Sequence, residues 1–80
     1  MQSIFDSRAL GERVLTCRES HGMSKQALAT TMGVNRLTIY RIEKGLCQAL
    51  NASTVIGLAL ALGISTDFLL LGKERIYAGT

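Results

Sequence analysis

Five glycines, at positions 22, 33, 45, 63 and 72, each close a run of residues with helical apolar spacing, and a small polar residue stands ready to open each run. This punctuation restricts the chain to short helices joined by tight turns. In the first run Leu10, Val14 and Cys17 recur at steps of four and three among arginines and glutamates, with Asp6 or Ser7 as the cap and Leu15 expected off the apolar face. Ser24 opens a second run with Leu28, Ala29 and Met32 inward, and Asn35 opens a third in which Ile39 and Ile42 join Val34. Asn51 caps a fourth, where Val55, Ile56, Leu58, Ala59 and Leu62 read as one broad buried stripe weakened slightly by Gly57. Ser65 or Thr66 caps a short fifth carrying Phe68, Leu69 and Leu70. The spacing predicts helices over about 7–20, 25–32, 36–44, 52–62 and 66–71, with a tail from 73 to 80 that includes Ile76 and Tyr77.

The predicted fold is all-α, a compact five-helix domain spanning residues 1–80. Eighty residues suffice for one core and not two, and a chain 48% hydrophobic without proline suits a helical globule. A separate sensor domain is not expected. The N-terminus has no basic stretch followed by an apolar run, and the strongly apolar stretch from Val55 to Ile64 falls far short of the roughly twenty residues that span a bilayer. A soluble cytoplasmic protein, away from membranes, is the expectation.

The net charge of +3 matters through its placement. Residues 1–24 balance Arg8, Arg13 and Arg18 against Asp6, Glu12 and Glu19, and residues 45–80 balance Lys73 and Arg75 against Asp67 and Glu74. The whole excess lies between 25 and 44, where Lys25, Arg36, Arg41 and Lys44 face Glu43 alone. A local anion-binding surface is implied. Cys17, Cys47 and the single His21 lack the spacing of a metal site or redox motif, so two reduced thiols, no metal and no cofactor are expected. Paired carboxylates, a nucleophile with its base, and a phosphate loop are missing too, and a small helical core leaves little cavity, which argues against an enzyme.

The stretch Gly22-Met-Ser-Lys-Gln-Ala-Leu-Ala-Thr-Thr-Met-Gly33 followed by Val34-Asn-Arg-Leu-Thr-Ile-Tyr-Arg-Ile-Glu-Lys-Gly45 resembles the helix-turn-helix of the lambda-repressor/Cro family, the XRE-type regulators. Leu10-Gly-Glu-Arg-Val and Arg18-Glu are similar to that family's first helix, Leu58-Ala-Leu-Ala-Leu-Gly-Ile-Ser to its fourth, and Asp67-Phe-Leu-Leu-Leu-Gly72 to its fifth, so the likeness covers about residues 7–72. The matching positions are physically restrictive. Ala29 is small where helices two and three cross, Gly33 admits the positive φ of the turn between them, and Val34, Ile39 and Ile42 fix the aim of helix three.

The resemblance implies a lambda-repressor-like DNA-binding domain with its helix-turn-helix at helices two and three. It implies a sequence-specific regulator of transcription, a repressor, on double-stranded DNA. Ser24 and Lys25 would meet phosphate; the family usually has Gln at the Lys25 position, so salt dependence should grow there. Arg36, Leu37 and Arg41 match positions that touch base edges, with Asn35, Thr38, Tyr40 and Lys44 beside them. Arginine suits guanine, and Leu37 a thymine methyl. Arg18 and Glu43 match a partly buried structural ion pair joining helix one to the end of helix three.

The loop from Leu46 to Asn51 lacks the basic residues and proline the family commonly carries there, which weakens any loop contact with phosphate. Leu46, Leu50, Leu60, Leu71, Ile76 and Tyr77 supply more apolar surface than one domain needs. They are the candidates for a two-fold homodimer reading an inverted-repeat operator. The alternative on the same fold is an antitoxin-type or other protein-interaction module, with a toxin or the polymerase as protein partner.

Overall fold

The structure, a computed structural model, describes residues 6–47 and 49–73. It contains five helices: α1 (Ser7–Ser20), α2 (Lys25–Met32), α3 (Arg36–Glu43), α4 (Ala52–Leu62) and α5 (Thr66–Leu71), and no strand among the described residues.

Each helix begins where a side-chain oxygen takes up backbone N–H groups that the first turn leaves without a partner. Asp6 accepts from Arg8 and Ala9, both at 3.1 Å. Ser24 Oγ accepts from Ala27 N at 2.9 Å, Asn35 Oδ1 from Leu37 N at 2.8 Å, Asn51 Oδ1 from Thr54 N at 2.8 Å, and Ser65 Oγ from Phe68 N at 3.0 Å. Between the two caps expected for α1 and the two for α5, Asp6 and Ser65 therefore take the role. The first four helices end alike, with a glycine N–H reaching back three residues and the next N–H reaching back five. At the α2–α3 turn these are Gly33 to Thr30 O (3.1 Å) and Val34 to Ala29 O (2.9 Å). Gly33 holds φ 70° there, which a β-carbon would strain. α3 stops one residue short of the expected Lys44, which instead turns the chain at φ −85°, ψ −1°.

The core is built from Leu10 and Val14 of α1, Leu28 and Ala29 of α2, Ile39 and Ile42 of α3, Leu58 and Leu62 of α4, and Leu69 of α5. α3 packs on both α1 and α2, while α4 and α5 pack on each other and against the other side of α1, with α4 also against α2. The third helix is thus clamped from behind, leaving its opposite face to solvent. Three apolar placements differ from the sequence reading. Ile56 is exposed, because α4 beyond Ser53 and Thr54 is uniformly apolar and carries no charged residue to mark its outer side. Leu50 is half-buried and packs against the core, and Leu15 is half-buried. Ile76 and Tyr77 lie outside the described residues. No helix among the described residues is long and apolar enough to cross a membrane.

Candidate nucleic-acid interface

The eight residues of α3 divide by helical period into two faces. Ile39 and Ile42 are fully buried, whereas Arg36, Leu37, Tyr40 and Arg41 are exposed, as is Lys44 just beyond the helix end. Thr38 is half-buried at the border. With its side chains an α-helix is about 10–12 Å across, which matches the roughly 12 Å width of the B-DNA major groove.

What aims this face is the packing behind it. Arg18 of α1 donates from Nε to Glu43 Oε2 at 2.7 Å and from Nη2 to Glu43 Oε1 at 3.1 Å, a bidentate pair, and from Nη1 to Met23 O at 2.8 Å. Their side chains are only 8% and 4% exposed, so the pair is more deeply buried than its sequence context suggested. The hydrogen bond to Glu43 raises the Arg18 pKa against the opposing pull of desolvation, with the charges of Glu43 and Glu19 adding to it. One consequence is electrostatic. With Glu43 consumed by Arg18, the only carboxylate between 25 and 44 is withdrawn from the surface, leaving Lys25, Arg36, Arg41 and Lys44 to set its potential.

Gly11, one turn into α1, is a second clamp that the sequence reading missed. A β-carbon at Gly11 would sit 2.7 Å from the carbonyl oxygen of Glu43, so the backbone of α1 touches the end of α3 directly. The available signal was a glycine inside an otherwise regular helical pattern, where it costs about 1 kcal/mol relative to alanine without a packing reason. Ser7 Oγ donates to Gly45 O at 3.3 Å, holding the glycine two residues past α3 against the start of α1. Arg13, also passed over, donates from Nη1 to Leu69 O at 2.9 Å and so ties α1 to the carbonyl end of α5.

A shallow groove lies between the start of α2 and the outer face of α3, walled by Lys25, Asn35, Arg36, Leu37 and Tyr40. Ser24, Thr38 and Arg41 lie outside it. Lys44 extends over the Tyr40 ring, its Nζ 5.7 Å from the ring centroid. Ser24 and Asn35 each use an oxygen as a helix cap, yet the hydroxyl proton of Ser24 and the amide NH2 of Asn35 remain chemically competent donors. Leu46, Leu60 and Leu71 are exposed, Leu60 most of all at 78%, and Ile56 stands one turn before Leu60 on α4.

A family model described as helix-turn-helix matches residues 14–69. The SPbeta prophage-derived uncharacterized HTH-type transcriptional regulator YonR of Bacillus subtilis is 40% identical over 64 residues, 80% of this chain and 58% of that protein's length. Among solved structures, the restriction-modification controller protein C.AhdI from Aeromonas hydrophila superposes with a TM-score of 0.74 at 28% identity, covering 81% of this chain and 97% of that one. The P22 c2 repressor, solved with synthetic operator 9T, superposes with a TM-score of 0.75 at 30% identity, covering 80% and 96%. With the fold, the glycine-hinged helix pair and the family match in agreement, the chain belongs to the lambda-repressor/Cro-like, XRE-type helix-turn-helix family of DNA-binding transcriptional regulators.

Proposed function

We propose that this chain is a sequence-specific repressor that places α3 in the major groove of double-stranded DNA and acts as a homodimer on an inverted-repeat operator. The observation that carries the proposal is the outward set Arg36, Leu37, Tyr40 and Arg41, held by a buried Arg18–Glu43 pair that takes up the one carboxylate of residues 25–44. Arg36 and Arg41 suit guanine O6 and N7, which accept bidentate hydrogen bonds. Ser24 and Lys25, at the first turn of α2, suit phosphate through the hydroxyl, the ammonium and the helix amides, while Asn35, Thr38 and Lys44 flank the base-reading set. The P22 c2 repressor, similar along most of its length and solved with an operator, supports this mode.

Dimerisation follows from economy of contact. One eight-residue helix reads few base pairs, and a two-fold pair of such helices one DNA turn apart reads an inverted repeat. Exposed Leu46, Leu60 and Leu71, joined by Ile56, provide apolar surface for a second copy, and α4 carries no charged side chain to oppose the approach. Selection of duplexes from a random pool tests both parts. The expected result is an inverted repeat with half-sites about one helical turn apart, and no enrichment overturns the proposal. Arg41→Ala should lose about 1–3 kcal/mol and relax one base position; equal loss on every duplex would make Arg41 a phosphate contact instead.

A further inference from the structure

Helix α1 carries Arg8, Arg13 and Arg18, and two of these are engaged within the fold. Arg18 pairs with Glu43, and Arg13 donates to the Leu69 carbonyl at the end of α5. Arg8 is exposed, and its guanidinium has no hydrogen bond or ion pair among the described residues. Asp6, two residues earlier, turns Oδ1 to the backbone amides of Arg8 and Ala9 instead, and Glu12, one turn along α1, makes no pair with Arg8.

Position gives this cation its meaning. Gly45, two residues past α3, holds φ 73°, and a β-carbon on it would sit 3.0 Å from Arg8 Cα and 3.2 Å from Arg8 Cγ. The Arg8 stem therefore runs across a bare glycine at the end of α3. The Ser7 hydroxyl fixes the same junction through Gly45 O. At the other end, the groove places Lys25 of α2 beside Asn35 and Arg36 at the start of α3. Cations thus flank α3 at both ends, one from α2 and one from α1. A helix seated in the major groove has a phosphate backbone on each side, and the loop 46–51 that leaves α3 holds no cationic side chain for the second of them.

We infer that Arg8 is a phosphate contact made by α1, supplying the positive charge that the loop after α3 lacks and meeting the backbone opposite the one met by Ser24 and Lys25. The inference rests on the DNA reading proposed above. It adds to the interface a residue outside both the helix-turn-helix and the segment that holds the excess charge, and it fixes the kind of contact. Phosphates are the same at every step, so Arg8 contributes affinity and register and leaves base preference to α3.

The test compares the wild type with Arg8→Gln and Arg8→Lys on the tightest duplex recovered from a random pool and on a scrambled duplex. All three should melt alike, because the side chain is exposed in a helix that favours each residue equally. For each protomer bound, Arg8→Gln should lower the salt slope of log affinity by about 0.9, which shrinks its deficit against the wild type about threefold to fourfold between about 50 and 200 mM salt. The loss should be equal on both duplexes, and Arg8→Lys should restore the slope. Replacing single phosphates by neutral methylphosphonates should reveal one position per half-site that weakens the wild type and leaves Arg8→Gln unaffected, distinct from the position to which Lys25→Gln is indifferent. An unchanged slope in Arg8→Gln overturns the inference, as does a loss confined to the selected duplex or an Arg8→Lys variant as weak as Arg8→Gln. A wild type that binds no duplex at all overturns the DNA reading itself, and so is told apart from failure of the Arg8 contact alone.

Discussion

Removing the Glu43 carboxylate would leave the Arg18 guanidinium, 8% exposed, with the Met23 carbonyl as its remaining partner among the described residues. Breaking a buried pair in this way costs on the order of 3–5 kcal/mol, a large part of the roughly 4–12 kcal/mol that a chain of this length commands. Glu43→Ala should therefore melt far below the wild type and bind DNA weakly, whereas the double change Arg18→Met with Glu43→Leu should recover much of the melting temperature, because no charge is then stranded. Thermal melts of the single and double variants check this, and an unchanged melt for Glu43→Ala would remove the pair's structural role. Gly11→Ala asks a related question of the backbone. Alanine would gain about 1 kcal/mol of helix propensity, but its β-carbon would run into the carbonyl oxygens of Ile42 and Glu43, the latter at 2.7 Å, and forcing α1 and α3 apart should leave a net cost of about 1–2 kcal/mol. A melting temperature at or above wild type would show that the two helices yield freely. The ion pair was legible in the sequence as a family likeness; the need for Gly11 was not, since it depends on Ile42 and Glu43, more than thirty positions away.

At Gly57 the opposite outcome is expected from the same substitution. It lies inside α4 at ordinary φ, and an added β-carbon would meet the Met32 Cε at 3.5 Å, normal contact distance. Gly57→Ala should stabilise the fold by about 0.5–1 kcal/mol, measurable by denaturant titration, through propensity and a less disordered unfolded chain. The helices themselves could be read from the chain because capping and termination are local: Ser24, Asn35 and Asn51 act within three residues, and Gly33 within five. Rotational phase was less legible. α3 announces its inside through Ile39 and Ile42 against arginines, but α4 from Val55 onward is apolar on every side, so Ile56 could be assigned inward as readily as Leu58. Leu50, in the loop before α4, lacks any periodicity to place it, and its packing against the core emerges from tertiary contact alone.

For the molecule as a unit, the exposed apolar ridge of Ile56 and Leu60 is where association can be challenged without disturbing the core. Leu60→Glu leaves a side chain that is already 78% exposed in solvent and should leave the monomer's melt within about 0.5 kcal/mol, while two glutamates facing each other across a two-fold axis would oppose dimer formation. Sedimentation of wild type and variant in the low micromolar range is the check; a wild type that stays monomeric even with its selected duplex, or a variant that dimerises as the wild type does, would exclude this ridge. The charge segregation of the α2–α3 segment was countable from the sequence and the Arg18–Glu43 pair was expected there, but the depth at which that pair sequesters Glu43 was not, because it depends on the reach of Arg18. That sequestering bears on how the molecule travels as well as on what it contacts. With positive potential gathered around α2 and α3 and α4 electrically silent, the field of a polyanion exerts a torque on the tumbling domain, so that encounters begin α3-first, at a rate that added salt will depress before any base is touched.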